Sequence, residues 1–530
     1  MRLLTTAPTA IPHLRDFIGS HIPPYAILSH TWGDDEVTLQ QLAAADLFAL
    51  QGRARFDKVQ KACALARTRD ALEYAWVDTC CIDKTSSAEL SEAINSMFAW
   101  YRDAEVCYVF LSDLEPGQRS DLERDLPGCR WFTRGWTLQE LVAPRKVLFF
   151  DREWNYRGSK EELAWQISKI TNIPVMVLNH QAELGDFAVA RRMSWAANRE
   201  TTRLEDMAYC LLGIFDVNLS LIYGEGVKSF ARLQAAILQT TPDLSIFAWV
   251  DKSDTCSEYA GILATCPAQF ADCWGMEAPV DNSAYANFTM TTRGIQTEAS
   301  LVPVTCRGGT PAIVALDTRC RMRGLGVGVH VRKIGASLYV RSRPHTLFRG
   351  GVDEDDFYEL SSLVELLTLA TKLPVRLTIP RGIDLVAKNR CSAFRLGWGP
   401  FVGREVQRMP RSHFDTEDGV FFSCDPRTEG WCVYVINGTL PGGSIPGLVS
   451  EGVYLKLFFA CFQWNSGLAI VVLTSLNSVD AGTGRLLESF LVSQLDQTRF
   501  EACQWAKNLV TGIFGDSLVI WDAYGLSPGR

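Results

Sequence analysis

The sequence predicts an α/β N-terminal domain on a doubly wound sheet, followed by a helical segment and then a β-rich half. Three observations lead there. Apolar runs begin at Tyr25, Tyr74, Val106 and Val147, with helix-length stretches between them. Helical spacing dominates residues 159–250. Beyond about residue 288, short β-branched runs alternate with turns that carry Gly and Pro.

The first strand, from Tyr25, breaks at Ser29 into a polar loop, with Gly33, Asp34 and Asp35 as turn residues. The second, from Tyr74, ends among acidic residues, Asp78 and Asp83. Ser86 and Glu89 then have the spacing of a capping box. Leu90, Ile94, Met97, Phe98 and Tyr101 recur at helical spacing and give that helix one apolar face. The third strand starts at Val106. A short helix follows Arg134, placing Trp136 and Glu140 one turn apart on the same side. The run from Val147 to Phe150 reads as a further buried strand. Strand and helix alternation of this length implies parallel pairing.

In the helical segment, Thr202 and Glu205 have capping-box spacing, followed by Met207, Cys210, Leu211 and Ile214 on one face. Gly224, Gly226, Lys228 and Ser229 have the letters of a P-loop but not its spacer. They read better as the turn before a helix containing Phe230, Leu233 and Ile237. The sequence shows neither an NTPase motif nor a propeller repeat. In the last half, runs at 312–316, 327–331, 336–340, 375–379, 432–436 and 453–458 alternate at period two, which predicts a sandwich or barrel.

At 530 residues, two or three domains are expected. With 47% hydrophobic and 21% charged residues, the composition is that of a globular protein. A net charge of −8 argues against nucleic acid as a general partner. The start of the chain is too polar-broken for a signal peptide, and no apolar run reaches the roughly 20 residues of a membrane span. A cytoplasmic protein is expected. The 16 cysteines are scattered without a Cys-x-x-Cys pair, so buried free thiols are expected and no metal.

Three segments carry a family resemblance: Leu28-Ser-His-Thr-Trp-Gly33, Trp76-Val-Asp-Thr-Cys-Cys-Ile-Asp83 and Arg134-Gly-Trp-Thr-Leu-Gln-Glu140. In this order they resemble the motifs of the fungal heterokaryon-incompatibility (HET) domain. Segments at 192–195, 201–209 and 221–226 resemble the stretch that follows the domain in many such proteins. Lys84 departs from the pattern, since many members carry glutamine there. The resemblance implies a HET domain over 1–158 and a helical HET-associated segment over 159–250, and the alternation places a β-rich C-terminal domain over 251–530. It also implies a role in non-self recognition and programmed cell death. The HET domain in turn resembles TIR domains, which have a flavodoxin-like sheet and some of which cleave NAD. That likeness implies a catalytic Glu140 beside Trp136, with NAD as substrate and homo-oligomers forming on activation by an unknown protein trigger.

Each candidate also has a plain structural role. Thr137 and Glu140 themselves have capping-box spacing, in which Glu140 would only satisfy a backbone N–H. His30 can contact a ligand or be a polar loop residue. Asp78 and Asp83 can hold ribose or cap the loop before the next helix. Ser29 can bind phosphate or make a turn hydrogen bond. Trp32 and Trp136 can stack on a flat ring, although large aromatics more often fill cores. Arg134 can meet a phosphate or pair with an acid. Three classes of function follow: an NAD-depleting enzyme, a self-associating death-signalling adaptor, and a receptor that senses its ligand through the β-rich half.

Overall fold

The structure is a computed structural model. It describes residues 1–350 apart from 9–11, 20, 34–35, 45–53, 254–258, 279–287, 293, 305–312 and 336–337. Beyond these it describes 364–369, 393–395, 402–409, 414–415, 420–422, 431–440, 453–464, 467–475, 507–508 and 518–524. Asp34, Asp35 and the run at 375–379 lie outside the described residues.

Seven strands form the N-terminal sheet: β1 (Arg2–Thr5), β2 (Leu14–Asp16), β3 (Tyr25–His30), β4 (Tyr74–Trp76), β5 (Val106–Phe110), β6 (Val147–Phe150) and β7 (Tyr156–Ser159). Their order is β2-β1-β4-β3-β5-β6-β7. The central four, β4-β3-β5-β6, are parallel. Counted along the chain they run second, first, third, fourth, the winding of a flavodoxin-type sheet. β3 is buried at all six positions, as a central parallel strand covered on both faces must be. The edges differ from the expected all-parallel sheet. β1 pairs antiparallel with both β2 and β4, and β7 turns back antiparallel on β6, so the sheet is mixed.

Helix α1 (Ala54–Arg69) packs on β3 and β4. Its buried Phe56, Val59, Ala62, Cys63 and Ala66 recur at helical spacing. After β4 come the single turn α2 (Asp78–Cys81) and then α3 (Ser87–Arg102). Ser86 caps α3 by accepting from Glu89 N at 3.3 Å, half of the expected box. The Glu89 carboxylate turns instead to Asp83 N and Arg2. Helix α4 (Thr137–Val142) is wholly buried and contacts α3 and β3.

Residues 164–247 form short helices, among them α5 (Asp206–Tyr209) and the longer α6 (Lys228–Thr240). Glu205 does not complete a capping box with Thr202. Its carboxylate accepts from Gly224 N and Gly226 N at 2.8 and 2.9 Å, holding the turn that leads into α6. Gly224 and Gly226 have φ of 102° and 59°, a region that glycine enters without strain. This segment docks onto the sheet domain where Gly213 meets α3. A Cβ on Gly213 would lie 2.1 Å from Phe98 Cβ. Asn95 on α3 also exchanges two hydrogen bonds with the backbone of Leu219, each of 3.1 Å.

Past residue 259, Ile295–Val304, Ile313–Met322, Leu325–Gly335 and Leu338–Ser342 belong to an eight-stranded sheet. Trp431–Leu440, Val453–Trp464 and Gly467–Ser475 pair antiparallel in a second, five-stranded one. Arg341 ties the first of these to the helical segment by donating to Phe247 O and Trp249 O at 2.6 and 2.8 Å. Among the described residues, no helix is long and apolar enough to cross a membrane.

Candidate active site

The chain leaves β3 for β4 on one side and returns to β5 on the other, so β3 marks the point where the winding reverses. Open α/β sheets bind ligands beyond the carboxyl ends of their strands at such a point. Here that region holds a cleft of about 350 Å³. His30 at the end of β3, Thr31, Trp32, Asp78 at the start of α2, and Glu140 on α4 all line it. Short loops after β3 and β4 bring the first four together, and α4, which precedes β6, brings Glu140 to them.

Glu140 is 7% exposed, set in the cleft wall. Ser29 Oγ, fully buried on β3, donates to its carboxyl and accepts in turn from Trp131 Nε1 at 2.8 Å. The Tyr101 hydroxyl, which donates to Leu28 O at 3.2 Å, also lies against the carboxyl. Burial pushes the Glu140 carboxyl up to about 8, and the negative charge of Asp78 adds to this. The Ser29 and Tyr101 hydroxyls and the Arg199 cation oppose it. The capping-box role is not what Glu140 does. Trp136 takes the cap position of α4 without a side-chain bond, and Thr137 donates its hydroxyl to Trp131 O and Arg134 O instead.

Around this carboxyl stands a polar set. Trp32, 48% exposed, donates through Nε1 to Asp78 Oδ2 at 2.7 Å. Burial raises the Asp78 pKa, while Lys84, the Trp32 bond and Lys58 pull it down. His30 Nε2 lies 3.7 Å from Glu36 and 3.9 Å from Asp78. Lys84 places its ammonium 3.5 Å from the centre of the Trp32 ring.

The remaining wall comes from outside the sheet. Arg134 donates to Thr202 Oγ1 at 3.0 Å. Asp206 accepts from the Tyr223 hydroxyl at 3.0 Å, and the Trp136 side chain lies against the same carboxyl. Burial raises the Asp206 pKa. Behind them, buried Arg199 donates to Arg134 O and Thr137 Oγ1, both at 2.8 Å, which fastens the start of α4. Desolvation lowers Arg199 to about 10. Gly135 is needed for this close approach, because a Cβ there would lie 2.5 Å from Thr201.

Of the residues named from sequence, His30, Trp32, Asp78, Arg134, Trp136 and Glu140 line the cleft together. Ser29 stands behind it as a partner of Glu140. Asp83 lies off the cleft and accepts from Thr85 N, the Thr85 hydroxyl and Gln40 Nε2, which is its loop-capping role. Sequence reading missed Thr202, Arg203, Asp206 and Tyr223. They fall in the segments at 201–209 and 221–226, whose likeness to the family was visible, but no local signal aims them at the sheet. Among the described residues, no group of three or more His, Cys, Asp or Glu could hold a metal ion.

Comparison with known proteins agrees with this region of the chain. Residues 25–127 match the family described as "Heterokaryon incompatibility protein (HET)". Residues 228–288 match a domain of unknown function, DUF8212. Over 234 residues the chain is 50% identical to the vegetative incompatibility protein HET-E-1 of Podospora anserina, a match covering 42% of this chain and 17% of that one. No solved structure matches the chain.

Proposed function

This chain carries a heterokaryon-incompatibility domain, and from that premise we propose that it acts in vegetative incompatibility by cleaving NAD in the cleft beside Glu140. The supporting observation is that Glu140, with the Trp136 indole a turn before it, lines a ligand-sized hollow at the reversal point of the sheet's parallel core. A volume of about 350 Å³ lies in the range of small-molecule pockets, and in this reading it takes the nicotinamide riboside half of the dinucleotide.

The chemistry follows from the residues present. Breaking the nicotinamide–ribose bond builds an oxocarbenium-like charge on the sugar, as glycoside hydrolysis does. Ionised Glu140 stabilises that charge, and Asp78 adds to the negative field. Nicotinamide leaves as a neutral molecule with the bonding pair, so no acid need protonate it. Water adds to the sugar carbon, and its proton passes to solvent. Trp136 supplies a flat apolar wall for the ring. A substrate that arrives with a positive charge also draws Glu140 into its ionised form.

In this reading a protein trigger brings copies of the chain together, and death follows loss of NAD. The β-rich half, a sandwich or barrel, would sense the trigger. The test is inducible expression of wild type and Glu140→Ala in a fungal cell, with NAD and viability followed together. NAD should fall before viability in the wild type only. Death with unchanged NAD in both strains would replace the enzyme with an adaptor that signals by self-association.

A further inference from the structure

The cleft carries two cation–aromatic pairs, one from each segment that builds it. Lys84 lies 3.5 Å from the Trp32 ring centre, and the Arg203 guanidinium lies 4.5 Å from that of Tyr223. All four side chains line the cleft. Lys84, Trp32 and Arg203 are exposed, whereas Glu140 is buried and Asp78 and Asp206 are half-buried. The cleft is therefore acidic at its floor and cationic at its mouth. Among the described residues, neither Lys84 nor Arg203 makes a salt bridge or a side-chain hydrogen bond, although Lys84 faces the charge of Asp78 and Arg203 those of Glu205 and Asp206. Cations held in place by an aromatic face, with side-chain donors not spent on protein partners, suit a pyrophosphate, which carries one negative charge on each of its two phosphates.

We propose that Lys84 and Arg203 form a diphosphate subsite, which holds the pyrophosphate of a nucleotide while its sugar and ring reach inward to the acidic floor. This rests on the NAD reading and gives the ligand a direction of insertion. Arg203 lies beyond residues 25–127, so the subsite would be completed by the helical segment rather than by the matched domain alone.

The test uses the full chain and its own tryptophans, since Trp32 and Trp136 line the cleft. Fluorescence titrations compare ADP-ribose, adenosine and inorganic pyrophosphate on wild type, Lys84→Ala, Arg203→Ala and Arg203→Lys, with near-ultraviolet dichroism as the fold control. Losing either cation should weaken ADP-ribose roughly ten-fold while leaving adenosine unchanged. Added salt should weaken the wild type more than either alanine variant, and Arg203→Lys should recover part of the loss. Pyrophosphate should bind more weakly than ADP-ribose with the same dependence on both cations. Pyrophosphate binding more tightly than ADP-ribose would overturn the nucleotide assignment. Equal ADP-ribose affinity in wild type and both alanine variants, or none in the wild type, would overturn the subsite. Because ADP-ribose binding needs no turnover, these outcomes separate from the Glu140 reaction. Cation-dependent binding without NAD loss would sink the reaction and leave the subsite standing.

Discussion

Replacing Glu140 with Gln should change how the stability of this protein depends on pH. The folded carboxyl is raised from an ordinary 4.5 to about 8, chiefly by burial. Between those values the folded chain keeps a proton that the unfolded chain has lost. Stability therefore falls as pH rises through that window, and the loss is complete above about 8. At about 1.4 kcal/mol per pH unit, the span amounts to roughly 4–5 kcal/mol. This is an upper figure, since the carboxyl borders a cleft that water can enter. The charged groups that set the shift are Asp78, which adds to it, and Arg199, which opposes it. Gln cannot ionise, so Glu140→Gln removes this slope. Urea unfolding of both proteins from pH 5 to pH 9 reads it directly. The wild type should lose stability relative to the variant with rising pH, steeply between about 5 and 8. Curves that stay parallel would show that Glu140 is ionised throughout and that its surroundings have been misjudged.

Three other perturbations test the surroundings of the site. Ser29→Ala takes away the hydroxyl that serves both Glu140 and Trp131, leaving a buried indole N–H unpaired; chemical denaturation should show a loss of roughly 1–3 kcal/mol. Gly213→Ala forces a methyl group against Phe98 and should lower stability by at least about 1–3 kcal/mol. It should also weaken ADP-ribose binding, because the segment bearing Arg203 and Asp206 then docks poorly; unchanged melting would contradict the contact. Asp83→Ala removes loop bonds to Thr85 and Gln40 away from the cleft, so the melting temperature should drop slightly while nucleotide binding stays the same.

The parallel core was legible because each central strand is apolar on both faces, and β3 and β5 carry that pattern along almost their whole length. The edges were not. β1 and β2 are short, and β7 is a polar strand whose pairing depends on the turn around Asp151 and Trp154, where Trp154 has φ of 66°. Local spacing also misled at Thr137 and Glu140. The capping-box pattern is present, but a buried serine lying 111 residues away in sequence competes for the carboxyl and wins it. The same holds at Glu205, drawn to the backbone of Gly224 and Gly226. Trp32 shows the reverse case, an aromatic whose bulk suggested core but which stands at the cleft mouth with its N–H on Asp78. Asp206 and Tyr223 could not be assigned to the site from sequence, because only the docking of a separate helical segment brings them to it.

Turnover of NAD by the purified chain, measured over a range of protein concentrations at pH 6 and pH 8 for wild type and Glu140→Gln, bears most directly on the central claim. Wild type should release nicotinamide, faster at pH 8 where Glu140 is more fully ionised, and faster once copies assemble, while Glu140→Gln should release almost none. Equal release by both proteins, or none by an assembled wild type, would contradict it.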